Sequence, residues 1–400
     1  MSDDFNFEIP DLPLEVELEE VESEEIEDES GGAVIYAFLG SGQGGGRLAE
    51  AFYKQGYKKV LCVNTANQDL SKVDIPEEQK ILLDAGEQGA GKDMEKGEAA
   101  ASKAQQQVLD LMKRKFGNVD HIMITIGAGG GSGGGSTLVL VETAKLYLTH
   151  IGQPEADKRV GVIMSLPTAG ESASPAVAKN SEFLARAMVH YAENKLISPL
   201  IFVDNDKIKK MYPKLSVTKF WPTVNATVAG LFHVFNVITR KPTNFTTFDT
   251  ADYMSIMRSG GCMIMGVTSV KTIDDNSSVS AALKSNLDKT LLAGGFDLKT
   301  ASHAAAVVLG GTEILDQLDN TAIEEGFDTL AMITGNAMVH RGVYSDDKPR
   351  LNVYTLIGGL KGPESRLQEL SKFQKIGCAI KEKEKPAKVK SSYGNRLYGE

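Results

Sequence analysis

Cysteine, tryptophan and long apolar runs are scarce in this chain, and each scarcity removes a class of protein. Only three cysteines occur, Cys62, Cys262 and Cys378, far apart and without metal-ligand spacing. That excludes a disulfide scaffold and a zinc module, and cytoplasmic thiols are the simplest account. No apolar run is long enough to cross a bilayer, and the first residues are acidic rather than basic-then-apolar like a signal peptide. A cytoplasmic protein is expected. No Lys or Arg precedes Arg47, and the net charge of −10 argues against general nucleic-acid binding by the folded body.

Glycine, by contrast, is plentiful: forty residues, and they cluster. The densest cluster lies within Thr125 to Ser136. An apolar run, His121 to Ile126, leads in like a buried strand, and Leu138, Val141, Ala144 and Leu148 lead out at helical spacing. Glycines between a strand end and a helix start leave backbone N–H groups pointing outward, where the helix dipole favours an anion. Gly129, Gly130, Gly131 and Gly133 allow close approach of a phosphate, and Ser132 offers a hydroxyl. A flexible linker is the competing reading. It is disfavoured because linkers are rarely flanked on both sides by periodic apolar segments.

A second unit of the same kind precedes it. Ala33 to Leu39 is apolar and of strand length, Gly40 to Arg47 is glycine-rich, and a helix is expected from Leu48 to Gln55. Gly40, Gly42 and Gly45 match GxGxxG, a weak signal alone. The next strand, Lys59 to Val63, ends at Asn64, where an NAD site wants an acid. Gly86 to Lys92 fits a P-loop, but Asp93 stands where a Ser or Thr hydroxyl is required. A long helix is expected over Glu95 to Phe116 and another over Pro175 to Glu193, with strands at Val160 to Leu166 and Pro199 to Val203. This alternation predicts a doubly wound, mostly parallel α/β domain with its ligand at the carboxyl ends of the strands.

Pro222 is expected to open a central helix to Thr239. Trp221 and Asn225, four apart, share a face that suits a base; a half-buried Trp and an ordinary surface Asn fit as well. Asp249 and Asp252 open a short helix, where two acids favour the dipole even without a further task. A smaller α/β domain follows from Gly261, with strands expected at Cys262 to Thr268, Ala304 to Leu309, Leu330 to Thr334 and Leu351 to Ile357. The boundaries are an acidic disordered tail over 1–30, a nucleotide domain over 31–220, a linking helix over 221–240, a C-terminal domain over 241–362, and a basic flexible tail over 363–400.

From Ala33 to Gly362, in collinear order, the chain resembles the tubulin/FtsZ superfamily, in its FtsZ-like prokaryotic, archaeal and phage branch. Gly129 to Gly135 is similar to the glycine signature, with Ser132 for Thr. Gly42, Gln43, Gly44, Gly45, Gly46 and Arg47 fall in the first phosphate loop, with Arg47 where FtsZ has Asn. Asn64 heads an Asn-Thr-Asp-like turn in which Ala66 replaces the Asp. Ala90, Gly91 and Lys92 fall in the loop near the terminal phosphate. The resemblance implies Glu171 as ribose contact, and Asn205, Trp221 and Asn225 on the guanine side. Asp249 and Asp252 resemble the acids of the synergy loop, which reach the nucleotide of the next subunit. Thr247 and Pro175 stand where FtsZ has Asn and Arg. What the resemblance implies is a GTPase using GTP/GDP with Mg2+, no metal bound by protein ligands alone, and head-to-tail filaments of the chain itself. The tails leave DNA, membrane or an adaptor open as contacts, and division, cell shape or DNA and phage positioning as roles. An NAD-dependent oxidoreductase and a GTP-binding scaffold with little hydrolysis are the alternatives.

Overall fold

Strands and helices alternate through the first half of the computed structural model. It describes residues 24–270, 277–288 and 294–384, without the side chains of residues 217, 288 and 375–384. The order begins β1 (Tyr36–Ser41), α1 (Gly42–Lys54), β2 (Val60–Asn64), α2 (Asn67–Leu70), β3 (Lys80–Leu82), α3 (Met94–Lys103), α4 (Gln105–Lys115), β4 (His121–Gly127) and α5 (Gly131–His150). It continues with β5 (Val160–Leu166), α6 (Ala169–Ser172), α7 (Pro175–Glu193), β6 (Leu200–Asp204), α8 (Asn205–Met211), α9 (Val217–Ile238) and α10 (Thr250–Met257). The last part is β7 (Cys262–Val270), α11 (Ser278–Asp288), β8 (His303–Gly311), α12 (Thr312–Leu315), α13 (Asn320–Ile333), β9 (Met338–Asp346), β10 (Leu351–Leu360) and α14 (Glu364–Glu384).

The sheet order is β3-β2-β1-β4-β5-β6-β7-β10-β8-β9. Strands β1 to β6 are all parallel. Helices cover both faces, so these strands read as continuous apolar runs rather than alternating ones. The C-terminal strands are not a separate sheet: one parallel pair, Leu200 with Cys262, joins β7 to β6. Beyond it, β10 runs antiparallel to both β7 and β8. Cys62 and Cys262 are fully buried in different strands, and burial pushes the Cys62 thiol up to about 12. Such thiols are inert side chains of the core.

Helix α9 links the two halves. Val224, Val228, Phe232 and Phe235 bury one stripe of it. Phe232 meets Tyr36, Phe38 and Phe52, and the Phe38 and Phe52 rings stack at 4.0 Å. At its far end Asn236 brackets Val34, accepting from its N–H at 2.9 Å and donating to its C=O at 3.0 Å.

Several expected boundaries move. Helix α9 starts five residues before Pro222, which lies inside it. The glycines Gly42 to Gly46 form the opening turns of α1 instead of a loop before it. The expected single helix over Glu95 to Phe116 is broken at Ala104 into α3 and α4. Leu330 to Thr334 is the end of α13, not a strand, because Ala322, Gly326, Phe327 and Leu330 continue a buried helical face. The acidic segment is ordered from Glu24: its amide donates to Arg114 O at 2.8 Å, and Glu24 and Glu25 pair with Lys115 and Lys59 at 2.7 and 2.8 Å. Those lysines offset the self-repulsion from which disorder was expected; residues 1–23 lie outside the described residues. Likewise α14 occupies the front of the expected flexible tail. Leu367 and Leu370 are buried, and Ser371 bonds Glu182 of α7 at 2.7 Å. Residues 385–400 lie outside the described residues.

Candidate functional site

In the order 3-2-1-4-5-6 the chain reverses direction between β1 and β4, and a crevice opens at their carboxyl ends. Helices α1 and α5 begin there, with N-caps Ser41 and Gly130. Neither cap offers a side-chain hydrogen bond, and neither first turn holds an acid. By contrast α3, α6, α8 and α10 are all capped by Asp or Thr side chains. Helices α1 and α5 therefore keep their orphan N–H groups for a ligand, and the unopposed dipoles select an anion. The crevice is a cavity of about 370 Å³.

Glycine serves two purposes here. Gly42 has φ of +67°, and a Cβ on it would lie 2.9 Å from the Gly133 amide, so the two helix starts can face each other closely. Gly45 instead packs against β4, where a Cβ would lie 2.0 Å from the Thr125 carbonyl oxygen. Gly45 and Gly46 accordingly do not line the cavity, against expectation. All the other expected nucleotide contacts do: Gly42, Gln43, Gly44, Arg47, Asn64, Ala90, Gly91, Lys92, Gly129 to Gly133, Glu171, Asn205, Trp221 and Asn225.

The loops are tied to one another. Thr65 Oγ1 accepts from the Ala90 amide at 3.0 Å and pairs with the Ser132 hydroxyl, joining three segments. The Gly131 amide donates to Gly91 O at 3.2 Å, and Asn180 donates to Lys92 O at 2.9 Å. Lys92 thus has a fixed backbone beside α5 while its side chain lines the cavity. Asp93 does not face inward; its carboxylate caps α3 by accepting from the Lys96 amide at 3.2 Å. The P-loop reading fails on this point. Thr65, Asp69, Gln88 and Ser165 also line the cavity and escaped the sequence reading. Thr65 is the middle residue of the Asn-Thr-Asp-like turn headed by Asn64, which was its signal.

At the other end of the cavity Asn205 is buried, and its Oδ1 has no partner. Asn205 also lines the cavity, and a buried carbonyl oxygen without a partner calls for a donor. The backbone beneath it is held firmly. Asp204 accepts from the Asp206 and Lys207 amides at 3.1 and 3.3 Å, and buried Arg366 of α14 lies 2.9 Å from its Oδ2. Arg366 also donates to Pro167 O at 3.3 Å, so one guanidinium braces the ends of β5 and β6. Glu171 closes a capping box with Thr168, accepting from its amide at 2.8 Å.

Asp249 and Asp252 lie elsewhere. Tyr253 Oη meets Tyr36 Oη at 3.0 Å, and Ser198 donates to Met257 O at 2.7 Å. Helix α10 therefore packs at the amino ends of β1 and β6, whereas the cavity is at their carboxyl ends. Asp249 and Asp252 cap α10 reciprocally at 2.9 and 3.2 Å. Asp252 Oδ1 is also 2.8 Å from His340 Nδ1, a partner the sequence gave no reason to suspect. Among the described residues, no group of three or more His, Cys, Asp or Glu side chains could hold a metal ion. No helix among them is long and apolar enough to cross a membrane.

A doubly wound sheet with uncapped glycine helices at its reversal point is a nucleotide fold, and comparison with known proteins specifies which. Residues 30–213 match the tubulin/FtsZ family GTPase domain, and residues 234–371 match the C-terminal domain of tubulin/FtsZ-like TubZ-like proteins. The chain belongs to the tubulin/FtsZ family. Among its relatives, the tubulin-like protein TubZ of Bacillus cereus is 27% identical over 266 residues, 62% of this chain and 58% of TubZ. The chain thus spans less than two thirds of the length of that relative. The tubulin-like protein CetZ of Pyrococcus abyssi is 24% identical over 334 residues, 80% of this chain and 84% of CetZ. The fold is also that of Bacillus thuringiensis serovar israelensis TubZ in GDP-form protofilaments. That likeness has a TM-score of 0.75 at 21% identity and covers 89% of this chain and 94% of that one. The second matched region begins near the end of α9 and ends within α14, so it takes in the last turn of the linking helix and all the strands from β7 onward.

Proposed function

We propose that the protein binds and hydrolyses GTP and assembles head to tail into filaments, in which Asp249 and Asp252 of one copy complete the nucleotide site of the next. The observation that carries this is the opposition of the two ends. Tyr36 and Ser41 stand about 17 Å apart along an extended strand, and α9 spans about 33 Å from the cavity toward the far face. In one copy the acids cannot reach the cavity; stacked copies bring one end to the other. Such stacking does not close on itself and gives an open filament. TubZ of Bacillus thuringiensis was solved both as protofilaments and as a two-stranded filament.

In this reading the first-turn amides of α1 and α5 hold the phosphates, Asn205, Trp221 and Asn225 hold the base, and Glu171 holds the ribose. Mg2+ arriving with the triphosphate supplies charge neutralisation, with the Ser132 and Thr65 hydroxyls and the Asp69 carboxylate available to it. Hydrolysis is then a matter of positioning and electrostatics, so a site split between copies works only on association. Phosphate release should rise more steeply than linearly with protein concentration; release per molecule that stays flat removes the shared site. Asp252→Asn should keep GTP affinity and lose turnover. Thr247 and Pro175 favour slow hydrolysis as a second reading, which predicts filaments in electron micrographs with GTP but scant phosphate release.

A further inference from the structure

Asp252 does not sit alone at the far end. Its Oδ2 accepts from the Asp249 amide at 3.2 Å, and its Oδ1 faces His340 Nδ1 at 2.8 Å. The other ring nitrogen of His340, Nε2, is 3.1 Å from Ser255 Oγ, and that hydroxyl also meets the Asp252 carbonyl oxygen at 2.7 Å. His340 stands on β9, is mostly buried, and stacks almost parallel to His303 with ring centres 6.2 Å apart. Phe248 meets the ring edge-on at 6.5 Å. Contacts at both nitrogens restrain the ring. Asp252 meanwhile keeps 30% of its side chain exposed, so water reaches it.

We propose that His340 is a positioning residue for Asp252, presenting its carboxylate in one fixed orientation to the nucleotide site of the adjoining copy. A carboxylate that orients water must itself be held, and a hydrogen bond from a third group is the usual means. The Asp249 amide fixes one oxygen and the His340 N–H fixes the other, which removes the rotation about χ2 that an exposed aspartate would otherwise have. Ser255 keeps the ring in register. The catalytic element is therefore built from two parts of the chain, the start of α10 and the start of β9, which the sequence separates by 85 or more residues. This rests on the shared site proposed above.

The test uses the full-length protein with GTP. His340→Ala, His340→Gln and His340→Asn are compared with Asp252→Asn for GTP affinity, threshold concentration for assembly, and turnover per assembled subunit. An Asn amide superimposes on Nδ1, whereas a Gln amide superimposes on Nε2, so only Asn restores the donor to Asp252. The expected result is unchanged GTP affinity in all four proteins and an assembly threshold within about twofold of the parent. Turnover should fall about tenfold to a hundredfold in His340→Ala and His340→Gln, with at least about a third retained in His340→Asn. Equal turnover in the Ala and Asn variants overturns the proposal, since loss of packing would treat both alike. Full turnover in His340→Ala also overturns it. Should Asp252→Asn itself keep full turnover, the shared site fails first and takes this inference with it. Loss in Asp252→Asn without loss in the His340 variants defeats this inference alone.

Discussion

The bare Oδ1 of Asn205 allows a test in which stability and binding move independently. Asn205→Leu keeps the side chain's length and branching but removes the acceptor. In the free protein that oxygen has no partner, so its removal breaks no hydrogen bond and relieves a buried polar atom. The thermal midpoint should stay within about 2 °C or rise, since 1 kcal/mol moves a domain of this size by only a few degrees. With nucleotide bound, the same substitution leaves a donor of the base buried against carbon. That costs about 1–3 kcal/mol, or about 5- to 150-fold in affinity. The preference for GTP over ATP should shrink by the same factor, because adenine does not present the same pattern of donors. Fluorescent-nucleotide titration measures the affinities, and a thermal melt without nucleotide supplies the control. A midpoint lowered by more than about 4 °C with GTP affinity intact would refute the reasoning, because Asn205 would then be a structural residue and not a base contact.

Other positions test other parts of the argument. Gly45→Ala should unfold the protein or cost more than about 4 kcal/mol, because its Cβ would lie 2.0 Å from Thr125 O; Gly44→Ala, where the nearest atom is at 3.7 Å, should fold normally by circular dichroism. Arg366→Met strips the guanidinium from buried Asp204 and should cost about 3–5 kcal/mol in denaturant melts, with weaker GTP binding as the support under Asn205 loosens. His121 is fully buried, and burial, with the Arg258 charge next, lowers its pKa to about 3. An unfolded histidine takes up a proton near 6.5, so the unfolded state gains protons below that pH while the folded state does not. This group therefore costs stability from pH 6.5 downward, about 2 kcal/mol by pH 5. His121→Phe should flatten that part of the pH–stability curve; an unchanged slope would locate the acid sensitivity elsewhere.

Cavity residues were legible where chemistry and secondary structure coincide. Gly129 to Gly133, Asn64 and Asn205 each sit at the end of a strand-like run, and in a parallel sheet every such end lies on the same edge. Local pattern therefore carried the site. Pattern erred where two structures share one periodicity: Leu330 to Thr334 is short and apolar, but it continues the buried face of α13, which packs on α11, β8 and β9. It erred again over Gly45, because glycine's tolerance of close approach serves a neighbouring strand as readily as a phosphate. Charge misled at Glu24 and Glu25, whose lysine partners lie more than thirty residues away.

The sequence by itself determined the alternation of strand and helix, the edge on which a ligand binds, and the anion-seeking character of that edge, since all three follow from contacts within a dozen residues. Only the tertiary structure decided that Arg366 braces the strand ends beneath Asn205, and that Asp252 rests on His340 at the opposite pole. Both depend on the mutual placement of segments far apart in the chain, and the packing of the whole sheet sets that placement.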